Sequence, residues 1–332
     1  AMLGTAGASH VITLTDPTDD DLRSMNLADP VRMTVTSTVG GARRASQVDF
    51  AFDVTPISAL SNAVIHEQKL GGGTLAANGT VATASARPTP SATFNASAQI
   101  GVTPADLLAA TEAMNNVVTM TVPAPSADLF SYYQSIGTAI NLSGDRSFEK
   151  VLFSPTSNPA NTGLNAKGVY VINANNNAVT ITSSRVYGTL VIINAKSSSK
   201  IGPKVTMSPA SSDMPTLLVS GSMVISLEDP DLTESDAERN LNPTGAPYLG
   251  ATDGDSSDAY PSRIRGLVYV SNSLTINENS AFEGVLWVNG KLSISGARTA
   301  SVRWMPLTNP IPGFMTATSM YVQDQTALRI AP

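Results

Sequence analysis

No cysteine occurs among the 332 residues. Disulfides, thiolate nucleophiles and cysteine-ligated zinc are thereby removed together, and an oxidising compartment is permitted without being required. Histidine is almost as scarce. His10 lies near the start and His66 falls in a stretch read as helix surface, so neither a His-based catalytic triad nor a multi-histidine metal site is expected. Charged residues make up 14% of the chain, the net charge is −6 and no basic run exists; nucleic acid, whose phosphates need clustered Lys and Arg, is argued against as a partner. Walker loop, dinucleotide fingerprint and nucleophile elbow are all missing. Gly71-Gly72-Gly73 precedes a weak strand rather than the helix N-terminus that phosphate binding uses. No apolar run approaches the roughly 20 residues of a membrane span. A membrane is expected to be reached only through an apolar helix preceding Ala1.

What the sequence does contain is repetition. Gly266–Asn277 (GLVYVSNSLTIN) is followed by Gly284–Ser295 (GVLWVNGKLSIS) with the same order of apolar, small and polar residues. A third copy is Thr216–Ser226 (TLLVSGSMVIS), and looser ones run from Gly168 to Asn173 through Val179 to Ile181, and from Gly188 to Ile193. Each copy reads as a strand, a small polar corner and a shorter strand, a unit of about 18 to 20 residues that matches one coil of a β-solenoid. Strands as apolar as Leu267–Val270 cannot lie open to water, and stacking in parallel lets each coil bury the same column as the next. Asn173, Gly221, Asn272 and Gly290 supply turn-tolerant corners. An antiparallel sandwich with similar strands is the competing architecture.

The fold class expected is therefore mainly β: a right-handed parallel β-solenoid over 168–305, an α+β region over 1–153 and a capping tail over 306–332. Residues 31–39 and 47–54 alternate apolar with polar around Gly40-Gly41 and predict a hairpin with one buried face. Thr55-Pro56 predicts a helix running through Ile57, Leu60 and Val64 to the glycines at 71–73. Further helices are predicted over 103–114 and 126–136. Asn78-Gly79 and Asn95 resemble corners, leaving it open whether 74–100 joins the solenoid. The Pro-, Asn- and Ser-rich segment 154–167 reads as the join between the halves. The tail strands 320–322 and 328–330 read as a cap on the open end.

One interruption carries most of the acid. Residues 228–265 hold nine Asp and Glu residues with no clear period and read as a solvated loop excursion from one corner. Within it Asp253, Asp255 and Asp258 have a spacing that can converge on calcium, although the EF-hand pattern is not matched; the solvated loop is the favoured reading and no other cofactor is expected. Asp258 with Arg263 and Arg265 resembles the charged cluster of polysaccharide-acting solenoid enzymes, but no acid/base carboxylate pair can be placed. Tyr269 and Trp287 occupy equivalent positions in adjacent copies and would form a sugar-stacking platform if they faced outward.

Leu60-Ser-Asn-Ala63, Asn78-Gly-Thr-Val81, the segment Tyr132–Ile140, the glycine-led copies and the closing Asn309–Phe314 together resemble the PilX-like pilus-assembly-associated proteins of bacteria, of the planctomycete type. Such proteins begin with a pilin-like apolar helix, which has no counterpart in these residues, and carry a large extracytoplasmic domain. The resemblance implies a non-enzymatic surface or secretion-system component and supplies no catalytic residues. With the missing His and Cys chemistry and the scarcity of clustered charge, a structural or adhesive component of a cell surface is expected, with other surface or pilus components, and polysaccharide as a second class, as partners. The alternative is a carbohydrate-active β-helix enzyme or sugar-binding module.

Overall fold

The computed structural model describes residues 8–17, 29–39, 41–66, 70–71, 73–77, 80–83, 93–94, 99–100, 118–119, 124–227, 230–307, 309–323 and 328–330. The chain is mainly β and forms two compact units. The first comprises residues 1–57, 125–129 and 310–332, and the second residues 58–124 and 130–309.

The first unit is an antiparallel sheet in which Ala8–Thr15 pairs with Val31–Val39, that strand with Ala42–Pro56, and the last with Met315–Val322 and Leu328–Ile330. The expected hairpin is present, with Val39 opposite Ala42 and Gly41 at φ +87° in the turn. Its buried face is incomplete, since Val31–Thr38 are all only partly covered. The tail strands belong to this sheet, each pairing antiparallel with Ala42–Pro56.

The second unit is built from parallel ladders. One runs through Thr138–Asn141, Val169–Asn173, Thr189–Ala195, Leu217–Gly221, Arg263–Val270, Ser280–Val288, Val64–His66 and Thr80–Thr83. A second runs through Arg146–Glu149, Val179–Thr182, Lys200–Ile201, Met223–Ile225, Leu274–Ile276, Leu292–Ile294 and Leu70–Gly71. A third joins Leu152–Phe153, Ser184–Tyr187, Val205–Ser208, the beginnings of Arg263–Val270 and Ser280–Val288, then Thr299–Arg303 and Thr74–Ala77.

Each ladder contributes one inward column. Ile140, Ile172, Ile192, Val219, Val270 and Val288 are successive neighbours in the first. Phe148, Ile181, Ile201, Ile225, Ile276 and Ile294 follow one another in the second. Phe153, Val186, Met207, Ile264, Phe282, Val302 and Ala77 do so in the third. All of these side chains belong to a single hydrophobic cluster. Because parallel neighbours place equivalent residues side by side, a sequence that keeps an aliphatic residue at one position per copy buries it in every copy. Val268 and Leu286 stand opposite each other and both enter this core, as the repeat register requires.

Glycine marks where one copy hands over to the next. A Cβ on Gly284 would lie 2.2 Å from the carbonyl oxygen of Gly266, and one on Gly188 would lie 2.2 Å from that of Gly168. Both approaches admit hydrogen alone.

The sequence reading of the first half is corrected here. In place of a helix from Thr55, the strand Ala42–Pro56 is followed by a short 3-10 turn at Ser58–Ser61 and the strand Val64–His66, which pairs with Leu286–Val288. His66 is thus a strand residue. The segments 64–66, 70–71, 74–77 and 80–83 extend the ladders beyond the last C-terminal copy, so part of 74–100 does join them. Nor does 154–167 divide the chain, because Thr138–Asn141 and Arg146–Glu149 pair directly with strands of the first copy. The helix expected over 126–136 is present as Leu129–Ile136; that over 103–114, and the corners at 78–79 and 95, lie outside the described residues.

Candidate functional site in the acidic excursion

The excursion is a small folded body, contrary to the solvated loop expected. Leu232, Ala237, Leu241, Ala246 and Tyr260 pack with Leu152, and Tyr187 and Tyr248 pack against them. Leu232–Thr233 pairs antiparallel with Ala259–Tyr260 and closes its neck. Thr233 caps the single turn Glu234–Ala237, its Oγ1 accepting the Asp236 N–H at 3.0 Å.

Two buried charges organise this body. Glu234 has no exposed surface; its Oε1 accepts from the Leu241 N–H at 2.5 Å and the Tyr260 hydroxyl at 2.7 Å, and its Oε2 from the Asp258 N–H at 3.2 Å. Arg185 is equally buried and points out of the third ladder into the excursion, where its Nη1 donates to the carbonyls of Leu241 and Ala246 and its Nη2 to that of Pro247. Its guanidinium lies 5.3, 5.4 and 5.8 Å from the ring centroids of Tyr187, Tyr248 and Tyr260. Burial pulls the Arg185 pKa below its usual value, while burial and the neighbouring Glu234 push that of Tyr260 up.

The three aspartates singled out in the sequence come together beside Glu234. The Asn242 Nδ2 donates to Asp253 Oδ2 at 3.1 Å and to Asp258 Oδ2 at 3.0 Å, and the Asn240 Nδ2 to Asp253 Oδ1 at 3.2 Å. Asp255 Oδ1 accepts from the Ser257 N–H at 2.9 Å and its hydroxyl at 2.6 Å. Desolvation and the nearby Asp253 raise the Asp258 pKa, whereas the Ser257 hydrogen bonds lower that of Asp255. Glu234, Asn242 and Arg185 were missed by sequence reasoning. The available signal was the set of apolar residues threaded between the acids at 232, 237, 241 and 246, which a solvated loop has no use for.

The charged cluster Asp258, Arg263, Arg265 is not assembled as one site. Arg263 Nη1 and Arg265 Nε meet the carboxylate of Glu283 at 2.7 and 3.0 Å, and Arg263 Nη2 donates to the Tyr248 hydroxyl at 2.9 Å. Asp258 instead joins Asn242 and Tyr260. Beside the arginines a cleft of about 460 Å³ opens, lined by Tyr187, Met214, Leu249 and Met305 with Arg265 and Glu283 as its charged groups. The platform also needs correction. Tyr269 and Trp287 do sit on the outer face of the first ladder, but they are 5% and 0% exposed. Phe130, from the helix Leu129–Ile136, lies over Tyr269 with ring centroids 6.2 Å apart, so neither ring face is open for a sugar.

No family model and no curated protein matches the chain. Among solved structures it is similar to the crystal structure of the competence-associated pilin ComZ from Thermus thermophilus, with 12% identity and a TM-score of 0.36 over 96% of this chain and 85% of that one. No helix of the described residues is long and apolar enough to cross a membrane.

Proposed function

We propose that the chain is a non-enzymatic structural or adhesive component of a bacterial cell surface, belonging to a pilus or secretion-type system and acting outside the cytoplasm. Its three ladders are proposed to close into a right-handed parallel β-solenoid that serves as a rigid body, with other surface components as partners. The observation that carries this reading is the sharing of one continuous hydrophobic cluster by all three inward columns. Stacked repeats that share one core suit a stiff body. The paired arginines at Glu283 and the PilX-like residues of the sequence support the same reading. Sugar chemistry, the alternative, has a structural foothold in the cleft beside Arg265.

The test is an antibody raised against the chain, applied to intact cells of the source organism and to their sheared surface fraction. Labelling of intact cells and recovery with sheared filaments is the expected result. Confinement to the cytosol, or release of oligosaccharides from a polysaccharide panel by the purified protein, would overturn the proposal.

A further inference from the structure

The excursion gathers acid that no direct ion pair compensates. None of the ion pairs among the described residues involves Glu234, Asp253, Asp255 or Asp258. The nearest buried cation, Arg185, spends both Nη atoms on backbone carbonyls. One carboxylate oxygen from each of Glu234, Asp253 and Asp255 lies within 4.8 Å of the other two. Ligands 2.3 to 2.6 Å from one calcium ion can be no more than about 5 Å apart, so this spacing suits a shared ion.

A second observation points the same way. Asn242 is 2% exposed, and its Oδ1 has no hydrogen-bond partner, although its Nδ2 is held against Asp253 and Asp258. A buried amide oxygen left unpaired is destabilising unless a ligand fills the gap. Half a turn of the terminal amide exchanges its nitrogen and oxygen and directs that oxygen at the same carboxylates. The amide then becomes a fourth oxygen ligand instead of a donor. With carboxylates and an amide as donors, and neither imidazole nor thiolate, the set suits a hard cation. A site furnished mainly by protein oxygens favours calcium over magnesium, which keeps most of its water.

We propose that the excursion binds one calcium ion through Glu234, Asp253 and Asp255, with Asn242 supplying an amide oxygen and Asp258 beside it. Bound there, the ion ties the turn at 234–237 to the segment 253–258 and fixes the body that projects from the ladders. This site does not depend on the surface-component reading.

The test uses the full chain freed of metal by a chelator and titrated calorimetrically with calcium chloride, with parallel thermal melts. The expected result is a saturable one-site isotherm and a melting temperature that rises with calcium concentration. Asp253→Asn and Asp255→Asn, both at exposed positions, should each weaken binding at least about tenfold. Asp231→Asn, in the same excursion but outside the cluster, should leave it unchanged. Absence of a saturable isotherm overturns the proposal, as does equal weakening by Asp231→Asn, which would indicate diffuse charge screening. Magnesium chloride binding as tightly as calcium overturns the assignment of the ion.

Discussion

Tyr269 and Trp287 stand opposite each other on neighbouring parallel strands, their ring centroids 5.8 Å apart and their planes at 89°. Their column continues through Leu218 and Val191 on one side and Ile65 on the other, all buried. The outer face of this ladder is thus a second packed layer. Trp287→Ala should cost about 3 to 5 kcal/mol in urea unfolding, and tryptophan fluorescence should not respond to a panel of oligosaccharides. A near-neutral truncation with sugar-dependent quenching would show the ring to be accessible.

Close stacking at the glycine corner sets a second expectation. Gly284 has φ +139° and a Gly266 oxygen where its Cβ would go, so Gly284→Ala should destabilise by about 2 to 4 kcal/mol. Gly254 has no neighbouring atom within 4 Å of the position a Cβ would take, and Gly254→Ala should change the urea midpoint little. Equal effects at both would contradict the close approach.

Arg185 anchors the excursion by satisfying three carbonyls at once. Arg185→Leu leaves those buried carbonyls without their donor. It should therefore cost about 3 to 5 kcal/mol and open the segment 230–262 to limited proteolysis before the ladders are cut. Unchanged protection of that segment would show that its apolar contacts alone hold it.

The repeat region was legible because parallel stacking writes its register into the sequence. Gly266 pairs with Gly284, Val268 with Leu286 and Ile276 with Ile294, so copies that align in residue pattern also align in space. Which face of a strand is covered from outside was not legible, since Phe130 reaches Tyr269 from a helix far away in the chain. The helix expected after Thr55 failed for a related reason. Ile57, Leu60 and Val64 have helical spacing, but Val64 is held in a strand by pairing with Leu286. Ser271, which as a surface corner residue looks inert, accepts the Gly221 N–H at 3.0 Å across the ladder. In the excursion, charge masked the apolar residues that fold it, and Asp253, Asp255 and Asp258 were recognised without their buried companions Glu234 and Asn242.

In the antiparallel unit, Arg32 and Asp49 face each other across the hairpin with Nε–Oδ1 and Nη2–Oδ2 distances of 2.8 Å. The guanidinium holds the Asp49 carboxyl below the usual carboxylate range. A lowered folded-state pKa means stability that is present above the unfolded value of about 4 and lost as pH falls through the lowered value. Asp49→Asn should therefore be less stable than the parent at neutral pH, and the gap should close as the pH drops through that window. A gap that is constant with pH in urea unfolding would contradict the ion pair.

The parallel register itself can be measured directly, because the cysteine-free chain accepts paired spin labels without background. Ser147, Thr180, Lys200, Val224, Thr275 and Ser293 are successive neighbours along the second ladder. With strands spaced about 4.8 Å apart, labels at 147 and 293 should be roughly 24 Å apart and labels at 180 and 293 roughly 19 Å. Double electron–electron resonance on the two double-cysteine variants should return narrow distributions that differ by about one strand spacing. Distances that fail to step in this way would contradict the stacked parallel repeat on which the rest depends.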